Sequence, residues 1–144
     1  MNKVRLLYFI ILSILTVPLA SCDDDDDDQP SRRQLLTSSQ WTAFAVYQNG
    51  QDITPLLGIA GINVNDIKIN FNDNSTYTLD FAGDQDSGTW EFTNNEQAII
   101  FDRGMQNDEL TATVNRLDNS ELYLEGEFST DDGTTLEGEF RFRH

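Results

Sequence analysis

The sequence predicts an all-β protein, an eight-stranded antiparallel up-and-down barrel, with a β-sandwich as the alternative. Three observations carry this. From Gln40 onward eight short segments alternate apolar and polar residues; the cleanest sets Ile67, Ile69 and Phe71 against Lys68 and Asn70. Turn formers such as Asn49-Gly50, Asn72-Asp73-Asn74 and Asp118-Asn119-Ser120 punctuate the segments. No stretch after the first 21 residues holds a helical apolar period for more than two turns.

In order, the first strand runs from Gln40 to Gln48 and the second from Asp66 to Phe71. The third covers Thr76 to Phe81 through Tyr77 and Leu79, and Gly83-Asp84-Gln85-Asp86 turns the chain. Gly88 to Phe92 then carries Trp90 and Phe92 on one side. Gln97 to Asp102 is apolar on both faces at Ile99-Ile100-Phe101, and Glu109 to Leu117 shows Leu110, Ala112 and Val114. The last two strands share a repeat, Leu124-Glu-Gly-Glu-Phe128 and Leu136-Glu-Gly-Glu-Phe140. Folding about Asp131-Asp132-Gly133 pairs Gly126 with Gly138, Leu124 with Phe140 and Phe128 with Leu136. The same register sets Glu125 against Glu139 and Glu127 against Glu137, a repulsion that Arg141 and Arg143 are placed to relieve in part.

Ahead of the strands, residues 1–21 read as a secretory signal: Lys3 and Arg5, an apolar run from Leu6 to Leu19, then Ala20-Ser21. The run is about 21 Å long as a helix, short of a bilayer's hydrocarbon layer of about 30 Å. Residues 22–40 form a flexible acidic linker that begins with Cys22 and Asp23 to Asp28, and Leu35-Leu36 starts a helical turn that plugs one end of the body. Residues 41–144 are one domain, with no second cysteine to cross-link it.

Composition narrows function. The whole chain carries a formal charge of −16, and losing Lys3 and Arg5 makes the remainder more negative still. Such a body does not hold nucleic acid through phosphates and is repelled by anionic lipid. The only histidine is His144, so no Ser-His or Cys-His pairing is assembled and no catalytic residue is assigned. Asp84-Gln-Asp-Ser-Gly88 opens like a calcium loop but puts Gly88 at the fifth position and Asn95 where a bidentate Glu belongs, so no metal is assigned either. Glu125, Glu127, Glu137 and Glu139 read as a solvated face, and no cofactor is expected.

The connection from Asn49 to Asn65 is long for a compact domain and oily, with Ile53, Leu56, Leu57, Ile59, Ile62 and Val64. It reads as a lid over one mouth of the barrel. A small apolar ligand beneath it would meet Leu56 and Leu57 from the lid and Tyr77, Trp90, Phe128 and Phe140 from the wall. An eight-stranded barrel is equally able to be packed solid, leaving an envelope protein partner as the alternative role.

Leu19-Ala20-Ser21-Cys22 resembles the lipobox of bacterial lipoproteins. The resemblance implies a diacylglyceryl group on the Cys22 thiol, cleavage before Cys22 and acylation of the new amine, anchoring the chain in a membrane through lipid. The aspartates that follow resemble a lipoprotein sorting signal, and the expected address is the bacterial cell envelope at the outer membrane. Trp41, Phe71-Asn-Asp-Asn-Ser-Thr-Tyr-Thr-Leu79 and Ser87-Gly-Thr-Trp90 resemble bacterial lipocalin-like lipoproteins, whose barrels are of calycin type.

Overall fold

The computed structural model describes residues 29–81, 83–106, 108–129 and 135–144, with residues 128 and 129 described by backbone alone. The leader, Cys22 and the aspartate run lie outside the described residues, as does the turn at Asp131-Asp132-Gly133.

The chain enters through a one-turn helix, α1 (Arg32–Leu36). Ser31 and Gln34 form a capping box: the Gln34 N–H donates to Ser31 Oγ at 3.2 Å, and the Ser31 N–H donates to Gln34 Oε1 at 2.8 Å. Strand β1 (Trp41–Gln48) follows, then β2 (Gln51–Asp52), a short helix α2 (Thr54–Ile59), a 3₁₀ turn (Val64–Asp66), β3 (Ile67–Phe71) and β4 (Thr76–Phe81). The remaining strands are β5 (Asp84–Thr93), β6 (Ala98–Phe101), β7 (Leu110–Leu117), β8 (Glu121–Ser129) and β9 (Thr135–Arg143). Successive strands from β3 to β9 pair antiparallel, β1 pairs with both β3 and β9, and the sheet closes into the expected barrel of eight strands. β2 is an appendage on β1, made by a turn in which Asn49 and Gly50 both have positive φ, the geometry an Asn-Gly pair favours.

The β8–β9 register is the expected one, with Gly126 opposite Gly138, Leu124 opposite Phe140 and Phe128 opposite Leu136. One expectation needs correction. β5 starts at Asp84, four residues before Gly88, so the residues read as a turn are paired strand: Asp84 faces Phe81 and Asp86 faces Leu79. Their side chains are exposed, so the pairing rests on backbone hydrogen bonds and leaves no apolar alternation to read. The 49–65 connection is built from β2, α2 and the 3₁₀ turn.

Two bulges bend the wall. In β1 the register shifts between Ala43 and Ala45, which lets Val46 rejoin Trp41 and Ala43 in the core. In β7 it shifts between Val114 and Arg116 and turns out Asn115, which donates from one Nδ2 to Glu125 Oε2 at 2.9 Å and Glu139 Oε2 at 2.7 Å. With the Arg141–Glu139 ion pair (2.7 Å), this answers the repulsion between Glu125 and Glu139. Arg143 instead lies over the Phe44 ring.

One end of the barrel is closed by α1. Leu36 is fully buried and its carbonyl accepts from Trp41 Nε1–H at 2.8 Å. Arg33 Nη2 donates to the Asp73 carbonyl and to Ser75 Oγ, both at 2.8 Å, while its guanidinium lies over Trp90. Arg32 reaches the Glu96 carbonyl at 3.2 Å. Contacts with the barrel therefore already involve the helix capped by Ser31, ten residues before β1.

Candidate functional site

At the opposite end lie the β1–β3 connection, the short β4–β5 turn and the β6–β7 connection. The lid holds its place through hydrogen bonds to β1 and within its own first turn. The Ile53 N–H donates to the Val46 carbonyl at 2.9 Å, the Val46 N–H to Thr54 Oγ1 at 2.9 Å, and the Thr54 N–H to Asp52 Oδ1 at 2.9 Å. Pro55 sits in the first turn of α2, where its missing N–H costs nothing. Ile53 and Leu57 pack on the core, whereas Leu56 and Ile59 turn outward, 63% and 85% exposed. The sequence-predicted lid residues therefore separate: Leu57 faces the barrel and Leu56 faces water.

Of the wall candidates, Tyr77, Trp90 and Phe140 all belong to the core. Trp90 stands edge-on to Phe71 and Phe92, and Tyr77 edge-on to Phe101. The Phe128 side chain is outside the described part. The glycines at strand centres do not open space. A Cβ on Gly138 would lie 2.6 Å from the Tyr47 carbonyl oxygen, and one on Gly126 would lie 3.3 Å from that of Thr111. Adjacent backbone fills those positions, and Trp41, Phe71, Ile99, Leu122 and Leu124 fill the axis. Nearer the mouth Leu79, Phe81, Leu110 and Leu136 are only half-buried.

A polar knot below the mouth was not anticipated. The Asp102 carboxylate accepts from the Tyr77 hydroxyl at 2.7 Å and from the Thr89 N–H at 2.7 Å. Asp102 follows β6 with φ of 49°, which turns its side chain back over Gly88. Burial, then the hydrogen bond and charge of Asp102, push the Tyr77 phenol well above its ordinary range. Gly88, inward-facing between Asp86 and Trp90, was the one signal in the sequence that something approaches closely there.

The outer surface of the described residues carries hollows. One, of about 320 Å³, is lined by Tyr47, Gly138, Glu125, Glu137, Glu139 and Arg141. There the Arg141 guanidinium lies between the Tyr47 and Tyr123 rings, 3.7 Å and 4.6 Å from their centroids. Another, of about 270 Å³, runs beside the lid between Thr54, Gly58, Gly61, Ile62, Val64 and Asn65. Among the described residues no group of three or more His, Cys, Asp and Glu is placed to hold a metal, and no helix is long and apolar enough to cross a membrane.

No protein-family model matches the chain, and no curated protein matches it. Among solved structures it is similar to a DUF4847 family protein from Bacteroides vulgatus, with a TM-score of 0.54 and 14% identity. The match covers 79% of this chain and 97% of that one. At that identity the likeness is one of fold, and the fold is a closed eight-stranded antiparallel barrel consistent with the calycin type.

Proposed function

We propose that the protein is a lipid-anchored lipoprotein of the bacterial envelope, held at the outer membrane by acylated Cys22, whose barrel serves as a protein-interaction module. The observation that carries the second half is the filled interior: large side chains from every side of the barrel meet at its axis with almost no exposure. A carrier needs a void of a few hundred cubic ångströms around its cargo. The lipobox resemblance at Leu19–Cys22 supports the anchor. Neither catalysis nor a cofactor is part of this reading.

The half-buried Leu79, Phe81, Leu110 and Leu136 favour a second reading, a shallow site for a small apolar ligand under the lid. Native mass spectrometry of detergent-free protein, with Trp90 quenching by a lipid panel, separates the two. The interaction reading expects no bound species and no quenching, and a stoichiometric lipid would replace it with the carrier. Intact mass of protein from membranes tests the anchor: the expected species begins at Cys22 and carries acyl chains.

A further inference from the structure

The geometry points to the outer face of the lid as a docking site for an aliphatic segment flanked by lysine or arginine, borne by another envelope protein and approached from the side away from the anchoring membrane. This rests on the lipid-anchored, interaction-module reading above and adds where the partner binds and what its surface is like.

The lid is chemically unlike the rest of the surface. From Pro55 to Gly61 the side chains are proline, leucine, leucine, glycine, isoleucine, alanine and glycine, with no polar group, in a chain that is 24% charged. Of the three large apolar residues exposed among those described, Leu56 and Ile59 lie here, and the third, Met105, is on another connection at the same end. Beside them runs the hollow whose floor includes Gly58 and Gly61, where a built Cβ meets nothing within 4 Å. A leucine or phenylalanine side chain has room to lie in it.

The anchor's position disfavours the chain's own membrane as the occupant. Ser31 is fixed at the α1 end, opposite the lid. Nine peptide steps separate it from Cys22, a reach of about 30 Å fully extended and about 16 Å on average. Nine-residue strands β8 and β9 span about 30 Å, or about 22 Å along the axis at the usual tilt. Bringing the lid to the bilayer would draw the tether taut along the whole barrel.

Charge argues against a second copy and for a basic partner. Asp52, Asp84, Asp86, Asp108 and Glu109 are exposed on the connections and strand ends around the lid end. Of the cations near that end, Arg103 is paired with Glu91 and Lys68 stands opposite Asp80 in the sheet. Two such ends repel, while lysines or arginines flanking an aliphatic segment are attracted.

The test uses the full lipid-anchored chain in its host, with a photo-crosslinking amino acid at Ile59 and, as control, at Asn119 on the α1 end. The expected result is a discrete adduct from Ile59 alone, to one identifiable protein. Once purified, that protein should bind the wild-type body and bind the Leu56→Asp/Ile59→Asp variant at least about tenfold more weakly. Both residues are exposed, and an unchanged unfolding midpoint of the variant establishes that the fold is intact. Adducts to lipid, adducts to a second copy, an absence of adducts, or binding indifferent to the two substitutions would each overturn the proposal. Acyl mass at Cys22 and membrane fractionation, read on the same cells, report failure of the anchoring reading separately.

Discussion

The Tyr77 hydroxyl and the Asp102 carboxylate meet at 2.7 Å, joining β4 to the end of β6 across the inward face of β5. The contact exists because the residue between them in the sheet is Gly88. A Cβ built there would lie 2.0 Å from Asp102 Oδ1, so any side chain must evict the carboxylate. Gly88→Ala is therefore expected to cost about 2–4 kcal/mol by stranding the Tyr77 hydroxyl and the Thr89 N–H. Urea unfolding measures it. Gly58→Ala is the control: in helix α2, with open space around its built Cβ, it should be neutral or slightly stabilising. Equal effects at the two positions would mean that Gly88 is not holding space for Asp102.

The same pair sets a pH dependence. The folded-state pKa of Tyr77 is raised above the ordinary value near 10, so the native state holds that proton more tightly than the unfolded chain. The stabilisation is complete below pH 10 and is lost as pH rises above it. Unfolding midpoints should fall as pH rises from about 10 in the wild type and fall less in Tyr77→Phe. Tyr123, also raised, by burial and by the Glu121 carboxylate, accounts for part of the remaining decline. Parallel curves for wild type and Tyr77→Phe would remove Tyr77 from this role.

At the β7–β8 turn the sign reverses. Asp118 accepts from the Ser120 and Glu121 N–H groups and from Arg116, which hold its carboxyl well below the ordinary carboxylate range. Its contribution is present above pH 4 and lost as pH falls below it. The side chain is 40% exposed, so solvent screens the Arg116 charge and the turn hydrogen bonds carry most of the effect. Asp118→Ala should cost about 1 kcal/mol at neutral pH, with the difference from wild type shrinking in acid.

Strand order, closure and the β8–β9 register were legible because apolar alternation and turn chemistry are local, and a repeat such as Leu-Glu-Gly-Glu-Phe leaves little choice of pairing. The start of β5 was not, since Asp84 to Ser87 pair through backbone while every side chain is in water. The N-terminal boundary was half legible. Leu35-Leu36 suggested a plug, but Ser31 and Gln34, which cap the helix, were read as linker, and nothing local announces that Arg33 lies over Trp90 or that Leu36 receives the Trp41 indole. The candidate site divides the same way. The oily lid stands out in sequence, but which of two adjacent leucines faces water depends on a six-residue helix whose phase is set by packing on β1 and the 3₁₀ turn.

That boundary yields the last prediction. If α1 is part of the core, a chain truncated to begin at Trp41 loses the fully buried Leu36 and the acceptor for Trp41 Nε1–H. It also loses Arg33 and its bonds to the β3–β4 turn. Losing a buried leucine alone costs about 2–5 kcal/mol, and an orphaned buried indole N–H adds about 1–3 kcal/mol. For a domain of this size the sum corresponds to a fall in melting temperature of at least about 10 °C. A chain beginning at Gln29 should match the body of the full-length protein. Leu36→Ala in that longer chain should reproduce the packing part of the loss while leaving the indole bond to a backbone carbonyl in place. Truncation at Trp41 with no change in melting temperature would make α1 an ornament on a barrel that closes without it, and would move the point from which the tether is measured ten residues toward β1.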